Sequence, residues 1–173
     1  MDIQKRFLAN SDEAINDQIG TGWRTGGGGV AITVTDLSGL QAITSNQIAS
    51  IQDSIDLGTA AVNIPSGVTL RFEGGEIING TLNGDDTYIW AEELLQIFDL
   101  TTVFAGTFKF RACYPEWFGG KGDGVTENIL YFAKTIEFID VCGGGIIELW
   151  GSTYNFSSQS ANGAWDIGYT KGG

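Results

Sequence analysis

Short strand-like segments recur about every 10 to 20 residues between residues 31 and 112, and glycine, asparagine or aspartate residues separate them. The segment VTLRFEGG has the alternation of a half-buried strand, because apolar Val68, Leu70 and Phe72 take every second position. Asn83 and Gly84 form a dipeptide that strongly favours a tight turn between strands. This cadence is typical of a β-solenoid or a β-sandwich, and the pattern alone does not separate the two.

The composition agrees with a turn-rich β protein. The 173 residues include 26 glycines and two prolines, and 17% of them are charged while 12% are aromatic. A disordered chain has the opposite bias, with many charges and few aromatic side chains. We therefore expect a folded chain that is mainly β.

The charge excludes several classes of function. The formal net charge is −12, and such a surface repels phosphate backbones and anionic lipid headgroups, so we expect no binding to nucleic acid. No stretch is long enough to span a bilayer, and the first ten residues lack the apolar run of a signal peptide. We therefore expect no membrane insertion and synthesis in a cytoplasm.

The chain also lacks the residues of common metal and acid–base sites. It has no histidine, the commonest general base and metal ligand, so we expect no cofactor and no metal. The spacing of Cys113 and Cys142 matches no zinc-binding pattern. Two buried thiols are favoured over a disulfide or a ligand pair.

Residues 1–30 form a separate first part. Ser11 is a plausible helix cap, and Gly20 can end that short helix. Four glycines at positions 26 to 29 predict a flexible joint, and they are not a phosphate loop, because Val30 and Ala31 stand where Lys and Ser or Thr are required. We expect this helical or extended anchor to dock onto a partner through its apolar side chains, Phe7, Leu8, Ile15, Ile19 and Trp23.

The β-rich body spans residues 31–113, and a third part spans residues 114–173. In the third part the period becomes helical near residues 127–141, with Thr126 as a possible N-cap and a strand, GIIELW, after the helix. One face of the predicted helix carries Ile129, Phe132, Ala133, Ile136 and Ile139.

The sequence WFGGKGDGVTEN, the apolar helix, GGGIIEL and GSTYNF resemble the start of a right-handed parallel β-helix of the pectate-lyase type. Many bacteriophage tailspike and tail-fibre proteins share this start. The upstream IPSGVTLRFEGGEIINGTLNGDDTYI is similar to a segment of tail proteins of phages and prophages of gut Bacteroidetes. The resemblance covers about residues 48–156. The chain departs from the family where Thr126-Glu127-Asn128 replaces an Asp-Asp-Thr or Asp-Asn-Thr cluster, and where a proline is missing near Trp150.

The resemblance implies a structural turn in front of a capping helix. Its glycines allow backbone angles that other residues avoid, and Asp123 can accept bonds from amides of the turn. We expect the helix to cover the open end of the first coil, with two aromatic residues packed beneath it. The residues of this opening turn are Trp117, Phe118, Gly119, Gly122, Asp123 and Gly124.

No set of carboxylates indicates catalysis. Adjacent pairs such as Asp85-Asp86 and Glu92-Glu93 fit a turn and a solvated face, since neighbouring side chains on a strand point to opposite faces. We therefore assign no catalytic residue. The other candidate carboxylates are Glu73, Glu76 and Asp123.

Taken with the resemblance, these features predict a virion structural protein, the tail-proximal N-terminal part of a phage tailspike or tail fibre. The resemblance implies a homotrimer, attached to a baseplate or adaptor protein through residues 1–30 and supporting a distal part that binds a host surface glycan. Two alternatives stay open. One is a polysaccharide depolymerase whose active site lies beyond this chain or between subunits, and the other is a bacterial surface carbohydrate-binding module.

Overall fold

Parallel β-strands are the main regular secondary structure of the protein, whose computed structural model describes residues 31–156. The predicted anchor residues Phe7, Leu8, Ile15, Ile19 and Trp23 and the glycine joint lie outside the described residues. The helices are α1 (Leu37–Gln41), α2 (Ile129–Val141) and a 3₁₀ helix (Pro115–Phe118). The strands are β1 (Ile32–Val34), β2 (Ile48–Ile51), β3 (Ser54–Asp56), β4 (Ala61–Asn63), β5 (Thr69–Phe72), β6 (Glu76–Ile78), β7 (Thr81–Trp90), β8 (Val103–Lys109), β9 (Asp123–Glu127) and β10 (Thr153–Asn155).

The strands stack as a solenoid of about four turns. A first column contains β1, β2, β5 and the end of β7, a second contains β3 and β6, and a third contains β4 and the starts of β7 and β8. From β2 to β8, register partners lie between 19 residues apart, as in Thr69 and Tyr88, and 22 apart, as in Ser54 and Glu76. Because each turn repeats the same three columns, the predicted parallel β-helix is confirmed and the sandwich alternative is excluded.

The interior contains stacks of apolar side chains, one from each turn. In each stack the last side chain is larger than the first, and all of them are buried. Burial of each of these side chains other than that of Ala49 contributes about 1.5–3 kcal/mol to the free energy of folding. The three stacks are Ala49–Leu70–Ile89, Ile55–Ile77–Phe98 and Val62–Leu82–Phe104.

At the corners of the solenoid, the chain bends at residues that favour turns but does not reverse its direction. The prediction of a tight turn at Asn83 and Gly84 was wrong, because both lie within β7 and pair with β8. The bend falls just after them, where the register shifts and Asp86 has φ of 50°. Asn83 Nδ2 donates to Asn63 Oδ1 at 2.8 Å, so equivalent polar side chains bond between successive turns.

The helix α2 closes the C-terminal end of the stacks and confirms the predicted capping helix. Phe138 is fully buried, and its ring centre lies 4.6 Å from that of Phe104 and 5.5 Å from that of Phe108. Phe98, Phe110 and Phe118 complete this aromatic cluster. The apolar edge of the last turn is therefore covered by the helix rather than exposed.

The face of α2 that packs on the solenoid differs from the predicted one. Lys134 and Thr135 are buried, whereas Ile136 is 39% exposed. The burial of the two polar side chains is tolerated because both have partners. Lys134 Nζ lies 2.9 Å from Glu137 Oε1, and the Thr135 hydroxyl donates to the Tyr131 carbonyl. On the other side of the helix, Phe132 packs against Tyr154 and Phe156.

The start of α2 also differs from the prediction. Thr126 belongs to β9, and Asn128 takes the N-cap position instead. The Asn128 side chain bonds to backbone atoms of Lys121 and Thr126, which fixes the segment that leads into the helix.

Candidate functional site

The opening turn lies between the solenoid and α2. Trp117 and Phe118 form the end of the 3₁₀ helix, and both are buried. The Trp117 Nε1 donates to the Glu92 carbonyl at 3.1 Å, and the Phe118 ring stacks on Phe98 at 5.8 Å. The two side chains anchor the turn to the last coil, with Phe118 against Phe138 of α2.

The polar and glycine residues of the turn have backbone roles. Gly119 ends the 3₁₀ helix with φ of 99°, and Gly124 has φ of 74°. A Cβ on Gly122 would lie 2.0 Å from the Cα of Gly151, so two segments of chain cross there in contact. Gly122 therefore accepts no side chain without movement of the backbone, whereas a side chain on Gly119 or Gly124 would be held in a strained left-handed conformation.

Asp123 holds the turn together through its carboxylate. Oδ1 accepts from the amides of Val125 and Thr126 at 2.9 and 2.7 Å, and Oδ2 accepts from the Thr126 hydroxyl. These bonds, those from Thr126 foremost, lower the pKa of Asp123 to about 2. The group is therefore an ionised turn carboxylate at neutral pH rather than a proton donor.

Glu116 is a buried carboxylate that the sequence did not single out. Its Oε1 accepts from the Tyr154 hydroxyl, which ties β10 to the 3₁₀ helix. Its Oε2 has no hydrogen-bond partner among the described residues. No spacing of charged residues in the sequence signals this contact, since the two side chains are 38 positions apart.

The other carboxylates are dispersed over corners and edges. Asp86 lies 3.1 Å from Lys109 Nζ, and the pKa of Asp56 is lowered by the bond from Asn79. Of the adjacent pairs, Asp85-Asp86 lies at the bend within β7, whereas Glu92 lines a hollow together with Glu73. Within residues 31–156 no three His, Cys, Asp or Glu side chains are placed to hold a metal ion.

The two cysteines are both free thiols. Burial raises the pKa of the Cys113 thiol, and it raises the pKa of Cys142 to about 11. Neither is a thiolate at neutral pH, so neither has the character of a nucleophile.

An exposed aromatic surface lies on the first column, and the sequence reasoning missed it. Tyr88 and Trp90 stand on the same outer side of β7 and are 37% and 47% exposed. The only sequence signal is the alternation in TYIW, where buried Ile89 separates the two rings. Lys109 Nζ lies 5.3 Å from the centre of the Tyr88 ring, a cation–π contact.

Two hollows flank Trp90. The larger has a volume of about 370 Å³, with Phe72 and Leu95 as apolar lining and Glu73 and Glu92 as acidic lining. The smaller, of about 140 Å³, is lined by Glu93 and Arg111 among other residues.

Positive charge is concentrated around these rings. Residues 31–156 contain five Lys and Arg side chains, and three of them border Tyr88 and Trp90. Arg71 is the register partner of Trp90, and its Nε lies 2.9 Å from Glu73 Oε1. We call this surface the aromatic face, and its members are Arg71, Glu73, Asp86, Tyr88, Trp90, Glu92, Glu93, Lys109 and Arg111.

The fold defines a class: a short parallel β-solenoid closed at one end by a helix. Comparison of the chain with known protein families, with curated proteins and with solved structures finds no match. No helix in residues 31–156 combines the length and the apolar character needed to cross a membrane.

Proposed function

We propose that this chain is a virion structural protein, the tail-proximal part of a phage tailspike or tail fibre. The observation that carries the proposal is the arrangement around α2. The helix closes a parallel solenoid on one side, and the parallel pair β9–β10 lies after the opening turn on the other. A capped solenoid followed by a second pair of parallel strands suits a protein that supports another domain, as the resemblance of residues 48–156 implies.

The chemistry of the described residues supports a structural role rather than a catalytic one. A glycosidase needs one carboxyl group whose pKa is raised, so that it can donate a proton. Asp36, Asp56, Asp99 and Asp123 instead have lowered pKa values, and each accepts hydrogen bonds within a cap, a corner or a turn. These groups stabilise backbone geometry.

In the proposed assembly the protein is made in the host cytoplasm and incorporated into the virion. Residues 1–30 attach it to a baseplate or adaptor protein, and three copies form the spike. A distal part of the spike contacts the host surface.

Immunoelectron microscopy tests the proposal. Antibodies raised against residues 31–156 are applied to particles released from a lysogen that carries the gene, and gold label is expected at the tail. Particles from a lysogen with the gene deleted provide the control. Label on the surface of uninduced cells, with unlabelled tails, would overturn the proposal in favour of a bacterial surface protein.

A further inference from the structure

We propose that copies of this chain associate side by side through the aromatic face. This face would be the contact surface of the assembly described above. The expected number of three copies rests on the proposed function. The contact would place the first columns of neighbouring solenoids against each other, with Trp90 near the centre.

Several side chains of the aromatic face are of the types that contribute most to the affinity of protein–protein interfaces. Trp, Tyr and Arg are enriched among the residues whose loss most weakens an interface. Trp90, Tyr88 and two arginines, Arg71 and Arg111, occur together on one side of the solenoid. Since Trp90 is nearly half exposed, a large apolar area stays in water until another surface covers it.

The larger hollow offers a place for a side chain of a neighbouring copy. The hollow lies beside Trp90, its volume is about 370 Å³, and Leu95 is a partly buried apolar residue of its lining. A pocket next to an exposed aromatic side chain is the arrangement in which interface anchors are buried.

Charge favours a second copy as the occupant. A chain of net charge −12 repels its own copies over most of its surface. On the aromatic face, Arg71, Lys109 and Arg111 balance three of the four carboxylates, so the repulsion between copies is weaker there. Around a threefold axis, each copy can present these cations to the carboxylates of the next copy. The carboxylates of this face are Glu73, Asp86, Glu92 and Glu93.

Sedimentation velocity of the full 173-residue chain over a range of concentrations tests the proposal. We expect concentration-dependent association to trimers. We also expect Trp90→Ala to raise the dissociation constant by at least about tenfold, because it removes the central anchor. Arg111→Glu should weaken association similarly, since it removes a cation from a face that already carries four carboxylates.

Trp150→Ala is the matched control, because Trp150 is 57% exposed but belongs to the segment after α2. It should leave the dissociation constant unchanged. Circular dichroism and the unfolding midpoint show whether each variant folds. If Trp90→Ala does not fold, Arg111→Glu still tests the proposal.

Three results would overturn the proposal. One is a monomer at every concentration, and another is association that Trp150→Ala abolishes while Trp90→Ala leaves it intact. The third is a monomer whose tryptophan fluorescence responds to soluble capsular oligosaccharides, with the response lost in Trp90→Ala, which would identify a glycan site instead. If gold still labels the tail while the purified chain stays monomeric, the proposed function stands and only this surface assignment fails.

Discussion

Gly106 shows how closely neighbouring turns of the solenoid approach each other. It pairs with Gly84, and a Cβ added to it would lie 2.0 Å from the Gly84 carbonyl oxygen. Its φ of +81° is also unfavourable for other residues. We expect Gly106→Ala to lower the free energy of unfolding by about 2–5 kcal/mol, as the sum of backbone strain and overpacking, measured by urea denaturation.

Gly58→Ala separates strain from crowding. Gly58 has φ of +58°, yet nothing lies within 4 Å of its added Cβ. We expect Gly58→Ala to lower the free energy of unfolding by only about 1 kcal/mol, which is the strain of a left-handed residue alone. Equal costs at the two glycines would contradict close contact between turns at Gly106.

Asp123 gives the opening turn a dependence on pH. Its pKa of about 2 lies below the ordinary value of 3.8, so the ionised carboxylate stabilises the folded turn above about pH 4. That contribution falls as the pH drops from about 4 to about 2, because protonation then favours the open turn. Amide hydrogen exchange of Val125 and Thr126 should accelerate over this range relative to amides of β5. In Asp123→Asn, the two amides should exchange faster at neutral pH and lose this dependence.

At the scale of elements, α2 is held to the solenoid mainly by Phe138. The side chain is fully buried among five other phenylalanine rings. We expect Phe138→Ala to lower the free energy of unfolding by about 3–5 kcal/mol, since it leaves a cavity at the end of the interior stacks. Ile136→Ala, on the exposed side of the same helix, should cost less than about 1 kcal/mol. Chemical denaturation measures both variants, and comparable losses would show that the helix packs through another face.

The position of α2 was predictable, whereas its orientation was not. The period changes from two to 3.6 residues at this point, and that change marks a helix wherever it packs. The helix has apolar residues on two sides, however, with Phe138 toward the solenoid and Phe132 toward Tyr154. A charged residue normally marks the exposed side of a helix, but Lys134 is buried. Its apolar stem packs in the interior, and its ammonium group lies beside Glu137.

Turn signals and surface aromatic residues were ambiguous for related reasons. Asn83 and Gly84 favour a tight turn in a hairpin, but in a solenoid the same residues lie next to a corner through which the chain continues forward. Tyr88 and Trp90 alternate with Ile89, and an alternating pattern does not show which of two apolar sides faces the interior. Local patterns indicated a β-solenoid or a β-sandwich, and the resemblance favoured the parallel β-helix, whereas the aromatic face depends on register between distant turns.

At the scale of the whole molecule, we predict that the chain does not bind DNA or RNA. The net charge is −12, and of the five cations in residues 31–156, Arg71, Lys109 and Lys134 already lie beside carboxylates. No strip of unpaired cations in that part of the chain is available to replace counterions on phosphates. A gel-shift titration at about micromolar protein and low salt should show no complex, with a basic DNA-binding protein as the positive control. A salt-sensitive shift would refute the prediction.

The growth of side chains along the interior, from Val62 through Leu82 to Phe104, limits how such a chain can change its length. If every turn had the same interior, duplication of one turn in the gene would insert a copy that fits anywhere. Here a copied turn would fit only beside the turn it came from, because at another level it would set side chains of different volume against each other, such as Val62 against Phe104, and leave voids or overlaps. The order of the turns is therefore tied to the residues within them.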